Sequence, residues 1–210
     1  MRIRQAERIT LAGLQYGHIE QEPAFTDRLL GAMSHALDSV RVGGVTWTAK
    51  TLTDRGPGSQ EREFGADFIS VFRATLDDYR VAKGFLVQSK LIEPTTAFPA
   101  AEASRLKAQC QRMLEHSAAS YVFVYSHQSG ILVIPAAEVV AARDCNPHEL
   151  TNRSLGQFYE EHFECFVGDP SIQSADPAGL QALRERYAAK RLFLLSGQTP
   201  RQPSSSVVSR

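Results

Sequence analysis

The sequence predicts an α/β fold in which a mixed central β-sheet is flanked by helices. Three observations indicate it. The predicted elements follow the order helix, three strands, helix, two strands over the first 135 residues. Residues 121–125 form a near-continuous apolar run, which is typical of a strand buried on both faces. Residues 101–117 carry an apolar stripe at helical spacing, as expected for a crossover helix that packs on a sheet.

The first predicted helix begins at Pro23, because a proline in the first turn of a helix loses no hydrogen bond. Apolar residues then recur at helical spacing, namely Phe25, Leu29, Met33, Ala36 and Val40. A helix commonly ends at a glycine, so we expect Gly43-Gly44 to end this one.

Three strands are predicted next. Residues 45–52 have strand composition and alternation, and residues 54–60 form a loop rich in glycine. Residues 68–72 and 84–91 are the second and third strands, joined by a polar turn at 76–79. We expect the three strands to meander before the crossover helix.

Beyond residues 131–134, a strand that Pro135 stops, the pattern weakens. Residues 154–166 and 177–190 have helical composition, and residues 191–195 form a candidate last strand. The predicted division is a core at 1–140, a mostly helical C-terminal extension packed on that core at 141–197, and a flexible polar tail at 198–210.

The composition suits a soluble globular protein, with 43% apolar and 22% charged residues among 210. No apolar run approaches the roughly 18 residues that span a bilayer, and the N-terminus lacks a secretory signal, so we expect no membrane association and a cytoplasmic location. Three widely spaced cysteines make a disulfide framework unexpected. The formal net charge is zero, so DNA binding would need a local basic face, a homodimer or a partner subunit.

Polar residues stand out in two of the predicted strands. Asp67 ends the segment 63–67, and Gln88 and Lys90 lie in the segment 84–90. If the strands are neighbours, a carboxylate, an amide and an ammonium converge at one edge of the sheet. Such a group can hold a hard divalent cation beside a phosphate and a water molecule. Taken singly, these residues also fit a turn and the solvent face of a strand.

The segments 65–67 and 88–90, together with the order of elements around them, resemble the PD-(D/E)xK superfamily of restriction-endonuclease-like nucleases. The resemblance covers roughly residues 15–135. With glutamine at position 88, the motif is similar to the Mrr-like QxK variant of the family. The segment after the helix, residues 121–126, resembles that of bacterial defence-type members. The proline that leads the family motif is replaced by Ala66.

The resemblance implies a restriction-endonuclease-like core and a role for each matching residue. Asp67 and Gln88 would ligate Mg²⁺, for which Mn²⁺ can substitute, and the backbone carbonyl of Ser89 would be a further ligand. Lys90 would orient or activate the attacking water. The substrate would be DNA, in prokaryotic defence or DNA processing.

The family also implies an acid on the first helix, and two candidates exist. At about 100° per residue, Glu22 lies on the same stripe as Phe25 and Leu29, whereas Glu20 points to the opposite side. We therefore expect Glu22 to act as a metal ligand and catalytic residue. The competing interpretation is that Glu22 only stabilises the helix dipole.

A second function remains open at this point. Net neutrality and the uncharged Gln88 are also compatible with a catalytically silent nucleic-acid-binding or protein-interaction module on the same fold. A separate pattern, Cys145, His148, His162 and Cys165, has the ligand types of a zinc site. Ordinary packing of these side chains is the competing interpretation.

Overall fold

The computed structural model describes residues 2–53, 66–143, 146–174 and 176–199. The helices are α1 (Arg2–Gln15), α2 (Glu22–Leu37), α3 (Ala100–His116), α4 (Ala136–Ala141), α5 (Leu155–Phe163) and α6 (Pro177–Arg186), with a short 3-10 helix at Pro147–Glu149. The strands are β1 (Val40–Val42), β2 (Val45–Thr53), β3 (Phe68–Thr75), β4 (Arg80–Leu91), β5 (Ser120–Ser126), β6 (Gly130–Pro135), β7 (Arg153–Ser154) and β8 (Arg191–Gln198).

The described strands form one eight-stranded sheet in the order β1-β2-β8-β3-β4-β5-β6-β7. The sheet is mixed, because β3 pairs with β8 and β4 pairs with β5 in parallel, while the other neighbours are antiparallel. The predicted α/β class with a mixed sheet flanked by helices is therefore confirmed. No described helix combines the length and apolar character needed to cross a membrane.

Helices cover both faces of the sheet. On β3, Phe68 and Phe72 belong to a cluster that includes the buried residues of α1, α2 and α5, whereas Ile69 and Val71 belong to a second cluster with those of α3, α4 and α6. Neighbouring side chains point to opposite faces of a strand. This two-sided burial explains why β3 is a continuous apolar run rather than an alternating one.

The predicted end of the first helix was wrong. Helix α2 stops at Leu37, and Asp38 follows it in an extended conformation, where its carboxylate accepts the backbone N–H of Ala49 at 3.1 Å. Gly43 and Gly44, with φ angles of 58° and 80°, form the two-residue turn between β1 and β2. Such hairpin turns need positive φ at both central residues, which glycine adopts without strain.

The predicted meander of three strands was also wrong. Strand β8 lies between β2 and β3, antiparallel to β2 and parallel to β3. The candidate strand 191–195 thus exists and extends to Gln198, the residue at which the flexible tail was predicted to begin. Leu192 and Phe193 are fully buried on opposite faces of the sheet, which gives this strand its central position.

The segment 141–197, predicted as a mostly helical extension on the core, therefore contributes to the sheet itself. It supplies β7 at one edge and nearly all of β8 in the centre. The boundary at residue 140 stays a prediction, and residues 200–210 of the predicted tail lie outside the described residues.

Helix α1 was not predicted. Its buried residues include Ala6, Thr10 and Gly13 beside the larger Ile3 and Leu14. The small and polar members of this stripe allow close packing against α2, but they weaken the hydrophobic pattern along the sequence. The predicted polar turn at 76–79 is present, since Thr75 pairs with Arg80 and the N–H of Leu76 bonds to the carbonyl of Tyr79 at 2.8 Å.

Two glycines give opposite stability predictions. A Cβ at Gly84 in β4 would lie 2.6 Å from the Ser70 carbonyl oxygen and 2.7 Å from that of Ile172, so Gly84→Ala should lower the free energy of unfolding by about 1–3 kcal/mol. Gly31 in α2 has open space around it, so Gly31→Ala should raise it by about 1 kcal/mol. Urea denaturation of both variants measures this; equal effects would contradict the packing described for β4.

Candidate active site

The candidate site lies at the end of the sheet where β3 and β8 both begin. Phe68 and Arg191 are the first registered pair of these parallel strands, so Asp67 and Lys190 stand side by side just before it. Phe68 also pairs with Val87 of β4, and β4 then continues through Leu91 without β3 beside it. The strand edge at residues 88–91 is therefore open to side chains from neighbouring elements.

Asp67 is anchored to this open edge. Its backbone N–H bonds to the Val87 carbonyl at 2.8 Å, and its Oδ2 accepts the Ser89 N–H at 2.8 Å and the Gln88 side-chain amide at 2.5 Å. Its other oxygen, Oδ1, lies 3.5 Å from the Lys190 ammonium. Asp67 is only 8% exposed, so these donors fix its carboxylate in one orientation.

Glu22, the first residue of α2, reaches the same edge from one face of the sheet. Its Oε2 accepts the Leu91 N–H at 3.2 Å and lies 3.8 Å from the Lys90 ammonium. Burial raises the pKa of Glu22, and the nearby charge of Asp67 raises it further, while Lys90, the Leu91 N–H and Lys190 act in the opposite direction. The charges of Asp67, Lys90 and Lys190 are therefore all close enough to Glu22 to influence its ionisation.

Glu22 rather than Glu20 occupies this position. Glu20 is exposed in the chain segment between α1 and α2. Helix α2 begins at Glu22, and its first turn already faces the sheet; the role of Glu22 as a metal ligand stays a prediction.

Gln88 is buried beside Asp67. Its Nε2 donates to Asp67, whereas its Oε1 is buried with no hydrogen-bond partner among the described residues. A buried amide oxygen without a partner is costly in a protein interior. Rotation of this amide by half a turn would place the oxygen beside the Asp67 carboxylate, where both could face one cation.

The backbone of β4 presents Ser89 to the open edge. The Val87 carbonyl, the Ser89 N–H and the Leu91 N–H all bond on that side. The N–H and C=O of one strand residue point to the same side, so the Ser89 carbonyl also faces this edge. The Ser89 carbonyl is therefore oriented so that it could serve as the predicted backbone ligand.

Buried hydroxyls support the site from the α2 face. The side-chain oxygens of Thr26, Ser89 and Tyr125 lie 3.0–3.2 Å from one another, and Thr26 also bonds to the Glu22 carbonyl at 3.1 Å. Burial raises the pKa of Tyr125, so its hydroxyl stays protonated. The network ties the first turn of α2 to β4 and β5, and so holds Glu22 against the strand edge.

Two residues of the site were missed from the sequence, Lys190 and Arg191. Arg191 bonds through two nitrogens to the Asp27 carboxylate and through one to the Pro23 carbonyl, at the start of α2. The sequence contained a signal for them, since Lys190-Arg191 comes directly before the apolar run 192–195. Asp67 comes directly before Phe68 in the same way.

The three described residues of the zinc pattern, His148, His162 and Cys165, make separate contacts. Cys145 lies outside the described residues. The His148 ring bonds to the Ile92 carbonyl at 2.9 Å, while His162 is buried against Phe85. Cys165 contacts the Tyr79 hydroxyl. In the described part of the chain, no group of three or more His, Cys, Asp and Glu side chains could hold a metal ion.

The same result limits the candidate site, to which the described residues contribute two carboxylates, Glu22 and Asp67. A cation there would need the amide oxygen of Gln88, the carbonyl of Ser89 and water to complete its ligands. Mg²⁺ meets this condition, because it is usually bound by one or two carboxylates and keeps several waters.

Comparison with known proteins adds no relative. The chain matches no protein-family model, no curated protein and no solved structure. The resemblance to restriction-endonuclease-like nucleases thus depends on the residues and geometry described above.

His162 should make stability depend on pH. Burial lowers its pKa from 6.5 to about 4. Between those values the unfolded chain binds more protons, so stability should fall by up to about 3 kcal/mol as the pH drops from 7 to 4. His162→Phe keeps the ring packing and should reduce this loss by about 3 kcal/mol, the contribution of the His162 ring.

Urea denaturation at several pH values measures the effect. The exposed His35, replaced in His35→Gln, is the matched control and should follow the wild-type curve. Parallel curves for His162→Phe and wild type would show that His162 is not the titrating group.

Proposed function

We propose that this chain is a Mg²⁺-dependent phosphodiesterase that cleaves DNA internally, with a restriction-endonuclease-like core. One observation carries the proposal. The carboxylates of Glu22 and Asp67, the amide of Gln88 and the ammonium of Lys90 meet at the open edge of β4, on three different elements. Convergence of these side chains from distant parts of the chain is what the resemblance implies.

The order α2, β2, β3, β4, α3, β5 supports the restriction-endonuclease-like core. Strands β3 and β4 are antiparallel, and helix α3 carries the chain over to β5, which runs parallel to β4. The insertion of β8 between β2 and β3 departs from the expected consecutive meander. It leaves the two motif strands, β3 and β4, as direct neighbours.

The residues present fit a hard divalent cation. Two carboxylates, a buried amide oxygen without a partner in the described part of the chain and an edge-facing carbonyl all offer oxygen ligands. Mg²⁺ bound there would polarise a phosphoryl oxygen and lower the pKa of a bound water. Mn²⁺ has similar ligand preferences and should substitute for it.

Lys90 is placed to orient or activate the attacking water. Its side chain is 15% exposed, so the ammonium lies at the boundary between the interior and solvent. An ammonium offers three donors to a water molecule and to a phosphate oxygen. Glu22 holds Lys90 in this place through their ion pair.

DNA would reach the site through a local basic surface. The chain has no net charge, so its overall field does not attract a polyanion. We propose that a homodimer or a partner subunit contributes the remaining contacts to the DNA backbone. The biological setting that the family resemblance favours is prokaryotic defence or DNA processing.

A second function is favoured by the charge balance of the site. Each carboxylate faces a lysine, Glu22 with Lys90 and Asp67 with Lys190, and Gln88 removes the negative charge of a third ligand. A site neutralised in this way also suits a silent nucleic-acid-binding or protein-interaction module. The two functions differ in whether the site takes up a divalent ion.

Mg²⁺ should stabilise the folded chain. An ion present at about ten times its dissociation constant adds about 1.4 kcal/mol, which corresponds to a rise of about 3–6 °C in the melting temperature of a chain of this size. Asp67→Asn and Glu22→Gln should abolish the rise, and the exposed Asp78→Asn should keep it. Differential scanning fluorimetry measures it; a wild-type chain without any shift would favour the silent module.

DNA cleavage should depend on Lys90 as well as on the acids. Supercoiled plasmid incubated with Mg²⁺ or Mn²⁺ should be nicked or linearised, and Lys90→Met should lower the rate by about 10²-fold or more. Lys90→Met should still bind Mg²⁺, because it removes no oxygen ligand.

Lys50→Ala, which removes an exposed lysine on β2, is the control for Lys90→Met. Unchanged cleavage by both Lys90→Met and Asp67→Asn would overturn the assigned site. Mg²⁺ binding without cleavage by the isolated wild-type chain would point to the partner subunit as a required component.

A further inference from the structure

Among the described residues of the site, two charged groups are not accounted for by the family resemblance: Arg191, which is paired with Asp27, and Lys190. Lys190 immediately precedes β8, a strand from the C-terminal segment. Because β8 runs parallel to β3 with Arg191 opposite Phe68, Lys190 lies opposite Asp67, and its ammonium is 3.5 Å from the Asp67 carboxylate. Its side chain is nevertheless 63% exposed.

The backbone around Lys190 is held on both sides. Before it, the end of α6 is closed by bonds from the Ala188 and Ala189 N–H groups to the carbonyls of Glu185 and Arg184, with Ala188 in a left-handed conformation at φ 45°. Ala189 is buried. After it, Arg191 is tied to α2 through the Asp27 carboxylate. The chain thus presents one flexible, solvent-facing side chain from a fixed base.

The charges of the site indicate what this side chain can bind. In the described part of the site, Glu22, Asp67, Lys90 and Lys190 sum to zero, as does the Arg191–Asp27 pair, so a divalent cation between the carboxylates would leave both lysines with uncompensated positive charge. Lys90 stays close to the sheet edge, being mostly buried. Lys190, with its side chain 63% exposed, can instead extend into solvent, where a backbone phosphate could reach it.

We propose that Lys190 is a phosphate-binding residue, which contacts a non-bridging oxygen of the DNA backbone and pairs with Asp67 only when the ion and the DNA are absent. This inference depends on the proposed function, since it assigns a substrate contact to the same site. It gives β8 a functional role beside its structural one.

The proposal predicts two opposite effects of removing Lys190. DNA binding should weaken, because one cation–phosphate contact is lost. Mg²⁺ binding without DNA should become about threefold tighter, because the ammonium no longer competes for Asp67 at an exposed ion pair. A merely structural ion pair would not produce this combination.

The experiment uses the full chain, a fluorescein-labelled DNA duplex and Ca²⁺, a hard cation that also prefers oxygen ligands. Fluorescence anisotropy at several salt concentrations gives the affinity and its salt dependence. For Lys190→Ala the slope of log K against log [salt] should become shallower by about 0.9, the contribution of one phosphate contact. Lys190→Arg should keep the wild-type slope, because it retains the charge.

Lys50→Ala is the matched control and should leave both the slope and the Mg²⁺ affinity unchanged. The Mg²⁺ affinity of each variant follows from the dependence of the melting temperature on Mg²⁺ concentration. Retained melting temperatures without ion would show that the exposed Lys190 can be replaced without unfolding the chain.

The outcomes separate this inference from the proposed function. A wild-type chain that cleaves DNA, with a Lys190→Ala variant whose slope and Mg²⁺ affinity match wild type, overturns the role of Lys190 and leaves the nuclease proposal standing. A wild-type chain that binds neither Mg²⁺ nor DNA overturns both. A shallower slope together with tighter Mg²⁺ binding supports Lys190 as the phosphate contact.

Discussion

The carboxylate of Asp67 lies at the open edge of β4, between this strand and the start of β8. Its Oδ2 is held by the Ser89 N–H of β4, and its Oδ1 faces Lys190 at the start of β8. A buried carboxylate is stable only when donors compensate its lost hydration. The donors here come from segments far apart in sequence, so the position of Asp67 depends on the correct pairing of β3 with both β4 and β8.

The open edge of β4 explains why the polar residues come together without disrupting the sheet. Where β3 has not yet begun, the backbone of β4 needs other partners, and the side chains of Asp67 and Glu22 accept its N–H groups at Ser89 and Leu91. The acids therefore replace a missing strand in the hydrogen-bond ladder. The same contacts leave Asp67 Oδ1 facing Lys190 and hold Glu22 Oε2 at 3.8 Å from the Lys90 ammonium.

Local patterns in the sequence predicted much of the fold, and they failed where the pairing is non-local. The periodic residues of α2 as far as Ala36, those of α3 and the apolar run of β5 were correctly interpreted, whereas Val40, assigned to the same helical stripe, begins β1. The meeting of Asp67 with Gln88 could be predicted because β3 and β4 form a hairpin. The position of β8 could not, since periodicity shows that a strand exists but not which strands it joins.

The wrong helix end at Gly43-Gly44 and the failure to identify Lys190 as a site residue have related causes. A pair of glycines after a helical pattern fits both a helix end and a hairpin turn, and only the pairing of Val42 with Val45 separates the two. Lys190 carries no motif of its own, and its significance appears only when β8 is placed beside β3. Among the described strands, β8 is the one that hydrogen-bonds to both β2 and β3, so these strands are joined in the sheet only after residues 191–198 have paired with residues 46–53 and 68–75. Closure of such long loops is entropically unfavourable until the paired strands are buried. The last strand of the sheet therefore also completes the charged site, and the Lys190–Asp67 contact forms only in a chain that has folded as far as β8.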